Sequence, residues 1–88
     1  MGDFNYLSIN ENPVSNNIRY TINLSNNDIV DLSIFDINGK IVFQQTNLEL
    51  ERGKHSFSLD INNLQSSEYF ISVRGNNIND RRKIIVVK

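Results

Sequence analysis

Apolar and polar residues alternate with a period of two along most of this chain. In IRYTINL, Ile18, Tyr20, Ile22 and Leu24 share one face, and Arg19, Thr21 and Asn23 share the other. In IVDLSIF, Val30, Leu32 and Ile34 alternate with Asp31 and Ser33. In HSFSLDI, Phe57, Leu59 and Ile61 alternate with Ser58 and Asp60. In EYFISVR, Tyr69, Ile71 and Val73 alternate with Phe70, Ser72 and Arg74. This period predicts strands of antiparallel sheets, each with one wet face. No segment holds apolar residues at helical spacing beyond a single turn.

Turn-forming residues separate the runs. Asn12-Pro13 breaks a short first strand from the second, and Ser25-Asn26-Asn27-Asp28 joins the second to the third. Asn38-Gly39 stands between SIFDI and KIVFQQ, which predicts a hairpin with a type I′ turn, where both central residues take positive φ. Gly53 marks a further turn, and Gly75-Asn76-Asn77 the last. The count is about seven short strands spaced as in an all-β, immunoglobulin-like β-sandwich of antiparallel strands. Its expected core is Ile22, Leu24, Leu32, Ile34, Val42, Phe57, Leu59, Tyr69, Ile71 and Val73. The chain ends on RRKIIVVK, in which Ile84, Ile85, Val86 and Val87 form an unbroken apolar run.

Length and composition narrow the function. The 88 residues suffice for one small domain, which buries about 60–65% of its unfolded surface and leaves little room for a deep catalytic cleft. The net charge of −1 carries no footprint for nucleic acid. There is no cysteine to form a disulfide, bind metal or attack a carbonyl. No apolar run approaches the roughly 20 residues of a membrane span. Met1-Gly2 reads as an added start, so residues 1–6 are expected to be a linker remnant and 7–88 the domain.

Candidate chemistry is sparse. His55 is the single histidine. Nothing in the spacing sets a serine and a carboxylate around it as a triad requires, so a partly buried, hydrogen-bonded histidine is expected. The oxygen-rich turns Asn10-Glu11-Asn12, Asn26-Asn27-Asp28 and Asn76 to Asp80 offer too few carboxylates for calcium, and Asx-turns account for them. Asp31, Asp36, Glu49, Glu51 and Asp60 fall on wet faces or turns. Phe35 and Phe70 could stack on sugars or pack against protein. Arg81, Arg82 and Lys83 are accounted for as charges that keep a sheet edge soluble. No catalytic, cofactor-binding or metal-binding residue is expected.

The order of the motifs is more informative. Asn12-Pro13 follows a short strand. Asp36-Ile37-Asn38-Gly39-Lys40-Ile41-Val42, then Gly53, then Leu64 with Tyr69-Phe70-Ile71, then Arg82-Lys83-Ile84-Ile85-Val86-Val87-Lys88 come after it. This series resembles the type A C-terminal sorting domain of the type IX secretion system of Bacteroidota. That family's pattern runs Pro-Asn-Pro, Asp-x-x-Gly-Arg/Lys-x-Val, Gly, Leu-x-x-Gly-x-Tyr and a basic, apolar ending. The resemblance covers about residues 7–88. Two positions depart from it: Glu11 stands for the first proline, and Ser67 for the glycine before the tyrosine. If that second position needs positive φ, serine costs on the order of 1 kcal/mol.

The resemblance implies a non-catalytic export signal. It would direct an N-terminal passenger through the periplasm and across the outer membrane, to be secreted or held at the cell surface. Its implied partners are the outer-membrane translocon, shuttle components and a sortase-like protease that removes the domain, with no nucleic acid and no membrane insertion. The recognition candidates carried over are Asn12, Pro13, Asp36, Gly39, Lys40, Val42, Gly53, Tyr69, Lys83, Ile84, Ile85, Val86, Val87 and Lys88. An edge strand with unpaired backbone groups could add to a partner's sheet, with Lys83 and Lys88 setting register against acidic groups. The alternatives are a carbohydrate- or protein-binding sandwich appended to an extracellular enzyme, and a spacer of the fibronectin kind.

Overall fold

The alternating runs fold as seven strands with no helix in the computed structural model, which describes residues 5–88. Residues 1–4 of the expected linker lie outside the described residues. The strands are β1 (Tyr6–Ile9), β2 (Asn17–Leu24), β3 (Asp28–Phe35), β4 (Ile41–Leu50), β5 (Gly53–Asp60), β6 (Ser67–Arg74) and β7 (Asn79–Val86). One sheet has the order β1-β2-β5 and the other β4-β3-β6-β7, with every neighbour antiparallel. This is the expected immunoglobulin-like sandwich. The strand directions give it two ends. The Gly39 end holds the β3–β4 turn, the starts of β2 and β6 and the finish of β7; the Gly53 end holds the β2–β3, β4–β5 and β6–β7 turns.

Inward side chains of both sheets fuse into one core. Ile22, Leu24, Leu32, Ile34, Tyr69, Ile71 and Val73 are buried as expected. Val42, Phe57 and Leu59 pack against the core but stay partly exposed, because β4 and β5 are outer strands with a neighbour on one side only. Leu7, Val14, Ile18, Tyr20, Val30, Ile61, Leu64, Ile78, Ile84 and Val86 complete the interior. The terminal apolar run resolves by strand periodicity. Ile84 and Val86 face inward at 0% and 1% exposure, whereas Ile85 and Val87 face out at 39% and 51%.

The β3–β4 turn differs from the expected type I′ geometry. Gly39 has φ of 83°, but Asn38 is not left-handed: Asn47 is the one non-glycine with positive φ among the described residues. The Gly39 N–H donates to the Asp36 carbonyl at 3.0 Å, and the Asp36 N–H to the Lys40 carbonyl at 2.9 Å. These bonds define a three-residue loop closed by a glycine bulge. The Asp36 carboxylate favours the longer loop, since its Oδ1 accepts from the N–H groups of Asn38 and Lys40, both at 2.9 Å.

Asp28 performs the equivalent task at the other end. It is buried, with 6% exposure. Its carboxylate accepts from the N–H groups of Ile29 at 2.8 Å, Asn76 at 3.1 Å and Asn77 at 3.0 Å, which ties the β6–β7 turn to β3. Gly75 permits this approach: a Cβ there would fall 2.7 Å from Asp28 Oδ2 and 2.8 Å from Val30 Cγ1. Burial alone would raise the Asp28 pKa, but the three N–H donors outweigh it and hold the group below its ordinary value.

Both turns can be tested by substitution. Gly39→Val forces a β-branched residue into positive φ and is expected to lower stability by at least about 1 kcal/mol, read from thermal melting. An unchanged melting temperature would contradict the turn described. Asp28→Asn sets an amide NH2 against a backbone donor and is expected to cost about 2 kcal/mol at neutral pH. Because the folded pKa is depressed, the carboxylate's contribution is complete above the unfolded value of about 4 and is lost as pH falls from there through the lower folded value. The gap between parent and variant melting temperatures should therefore narrow on acidification; a gap independent of pH would refute the carboxylate's role.

Candidate functional site

The outer edge of β7 is where the sequence suggested an open strand, and it is already occupied. After β1, the chain leaves the first sheet at a cis Asn12-Pro13 bond and crosses to the second, where Val14 bridges Val86 in parallel. The Val14 N–H donates to the Ile85 carbonyl, and the Val87 N–H to the Val14 carbonyl, both at 2.9 Å. Asn12 acts as a side-chain extension of this strap. Its Nδ2 donates to the Lys83 carbonyl at 3.2 Å, and its Oδ1 accepts from the Ile85 N–H at 2.9 Å. Further along the strand, the Arg81 N–H is taken by Asp80 Oδ1 at 2.9 Å. Strand addition along this stretch would first have to displace the chain's own segment.

The Leu64 to Tyr69 motif is a corner. Tyr69 is buried near the start of β6, and its Oη donates to the Gln65 carbonyl four residues upstream at 2.8 Å. This is the tyrosine corner of immunoglobulin-like sandwiches. Leu64 is buried beneath it and donates its N–H to the Ile61 carbonyl at 3.0 Å. Ser67 opens β6 without left-handed φ, so the conformational cost considered from sequence does not arise. Lys88 joins the same corner, with its Nζ donating to the Ile61 carbonyl and its N–H to Ser66 Oγ, both at 2.8 Å.

Nearly all the motif residues gather at the Gly39 end. Asn12 and Pro13 lie against the Lys83 to Val87 stretch, Tyr69 and Lys88 meet around the 61–66 loop, and Asp36, Gly39, Lys40 and Val42 form the turn and the start of β4 at the same end, on the opposite side of β6 from β7. Gly53 does not join them, since it opens β5 at the opposite end. The chain also enters at that opposite end. There the Ser25 N–H donates to Asn5 Oδ1 at 3.0 Å, and the Leu7 N–H to Asp80 Oδ2 at 2.9 Å. Of the gathered residues, Lys40, Lys83, Ile85, Val87 and Lys88 are exposed, as are Asn12 and Pro13. Lys83 Nζ lies 3.6 Å from Glu68 Oε1 with both side chains about half exposed, so its charge stays accessible.

The remaining candidates have architectural surroundings. His55 is half-buried, with Nε2 2.6 Å from the Glu51 carbonyl. The Arg81 guanidinium lies 5.1 Å from the Phe70 ring centre and 5.5 Å from that of Phe35, a cation–π arrangement that covers both rings. Sugar stacking on those faces would have to displace it. Among the described residues, no three histidine or carboxylate groups meet in a way that would hold a metal ion.

Residues 9–87 match the family model described as the secretion system C-terminal sorting domain. No curated protein matches the chain at a significant level.

The Asn12 bracket makes a measurable demand. Asn12→Ala removes two hydrogen bonds on an exposed edge and is expected to lower stability by about 1 kcal/mol, with faster amide exchange at Ile85. An Ile85 amide as slow as in the parent would show that Asn12 does not hold the strand.

Proposed function

Because the chain belongs to the family of type IX secretion C-terminal sorting domains, we propose that its folded sandwich is an address read at the Gly39 end. The family is one of sorting signals, and it implies a secreted or cell-surface parent protein. In this proposal residues 7–88 form the recognised unit, with Asn5 and Tyr6 tied to it through Ser25 and β2, and the segment before Asn5 links it to a passenger. Translocon and shuttle components meet the domain in the periplasm, the passenger crosses the outer membrane, and a sortase-like protease then removes the domain. The match across residues 9–87 carries this reading.

The geometry supports it in two respects. A passenger joined before Asn5 departs from the Gly53 end and leaves the gathered motifs uncovered. The exposed part of the Gly39 end combines lysines with the apolar side chains of Ile85 and Val87. Such a surface suits a partner with acidic groups around an apolar patch, where the charges steer encounter and set register. Recognition by adding a strand to β7 is not part of this reading, because Asn12 to Val14 hold that edge.

The test is a reporter carrying a periplasmic export signal, fused ahead of the full chain in a host with the type IX system. The reporter is expected at the surface or in the medium. Lys83→Glu with Lys88→Glu reverses charge beside an intact apolar strand. Lys83→Glu gives up the ion pair with Glu68 and sets two half-exposed carboxylates together, which should cost about 0.5–1 kcal/mol, and loss of the Lys88 bond to Ile61 adds about 1 kcal/mol. The folded double variant is expected to leave the reporter in the periplasm. Retention of the unaltered fusion in a competent host would reject the sorting reading in favour of an appended binding module.

A further inference from the structure

The two sheets present four outer strands, and three carry a feature that hinders pairing with another chain. β7 is covered by the Asn12 to Val14 strap. β4 is irregular twice, between Val30 and Leu32 and again between Ile34 and Phe35 of its partner β3. β1 has four residues. β5 has none of these features. Its eight residues pair with β2 in unbroken register and include no proline.

The direction of its backbone groups is set by the ladder. The Ile61 N–H donates to the Asn16 carbonyl, one step beyond the Asn17–Asp60 pair. In an antiparallel ladder, bonded pairs alternate, so the odd-numbered residues of β5 bond to β2. Lys54, Ser56, Ser58 and Asp60 therefore turn their N–H and C=O groups toward the open side, and all four side chains are exposed.

That edge is self-complementary. Laid antiparallel on itself about Phe57, β5 sets Lys54 opposite Asp60 and Ser56 opposite Ser58, twice each across a two-fold axis. In this one register every outward-facing residue meets another outward-facing residue, and opposite charges meet at both ends. Most of the half-covered core residues lie on the adjoining flank. Phe57 and Leu59 of β5, together with Val42, Phe43, Leu48 and Leu50 of β4, pack against the core without full burial, and Ile9 of β1 does the same at the other edge of the sheet.

We propose that the β5 edge is a self-association surface, taken up by a second copy of this chain in antiparallel register about Phe57. Two three-stranded sheets then join into one continuous sheet. A passenger does not obstruct the contact, because the chain enters through β1, at the far edge of the same sheet from β5.

The test is sedimentation equilibrium of the full chain from micromolar to millimolar concentration, with amide exchange measured at Ser56 and Ser58. A monomer–dimer equilibrium is expected, with exchange at both serines slowing as dimer forms. Lys54→Asp opposes like charges at both ends and should weaken dimerisation about tenfold or more, as should Asp60→Lys. A mixture of the two variants restores both opposite-charge pairs and should form heterodimers. Asp60 also accepts from the Asn62 N–H at 2.8 Å, so each variant's melting curve accompanies its mass; where Asp60→Lys fails to fold, Lys54→Asp decides alone. A chain monomeric at millimolar concentration would overturn the proposal. So would a dimer indifferent to Lys54→Asp, or one in which Ser56 and Ser58 exchange as in the monomer.

Discussion

The structure depends on the chain changing sheets between Ile9 and Val14. Four of the seven strands have a single sheet neighbour, and β7 is the one whose open side this segment covers. β7 pairs with β6 on one side, and without the strap its other side would show a row of bare donors and acceptors beside the half-exposed Ile85 and Val87. Segment 12–14 closes that side with both main-chain and side-chain bonds. The strap also delivers Val14 to the core next to Val86. One short stretch thus joins the two sheets, protects an edge and buries an apolar residue. An Asn-Pro pair suits it: proline brings no N–H that would need a partner at the crossing, and asparagine supplies a donor and an acceptor where the backbone has turned away.

The other motifs work in the same way. Asp36 and Gly39 shape a hairpin loop, and Leu64 and Tyr69 lock a corner. Each satisfies backbone groups where a strand stops. Such positions are few in a chain of 88 residues, and each sets the path of the next strand. This is a physical reason for a sorting domain to be recognisable by scattered short motifs: they mark the points where a small sandwich has least freedom to vary.

Much of the fold is legible in the sequence because β2, β3 and β6 are half-buried strands with clean alternation, which fixes the inward face without tertiary information. The outer strands are less legible. Val42 sits at an irregularity in β4, and Phe57 and Leu59 lack a second flanking strand, so their burial depends on neighbours that period-two counting does not see. The type I′ expectation fails because the Asn38-Gly39 pair alone does not reveal the carboxylate of Asp36 closing on the loop. In sequence Asp28 looks like an ordinary turn residue. Its partners Asn76 and Asn77 lie far along the chain, and nothing local signals their approach. The strap is hidden for the same reason, since its partner strand is at the other end of the chain.

These distinctions bear on what a recognition system could read. Most of the motif residues are occupied in holding the sandwich together, and replacing them would alter recognition and folding at once. Tyr69, Ile84 and Val86 are buried, so a partner meets them only as the shape they maintain. The groups available for direct contact are fewer: the exposed lysines, the outward Ile85 and Val87, and the rim of the strap. Under the proposed reading the address is therefore conformational. The apolar run of RRKIIVVK divides its work by strand periodicity, with one face closing the core and the other offered to solvent, and the strap is what keeps the second face in place. An unfolded copy of the same residues would present the same sequence without that arrangement, and a partner that reads the outward face has in effect tested whether the domain is folded.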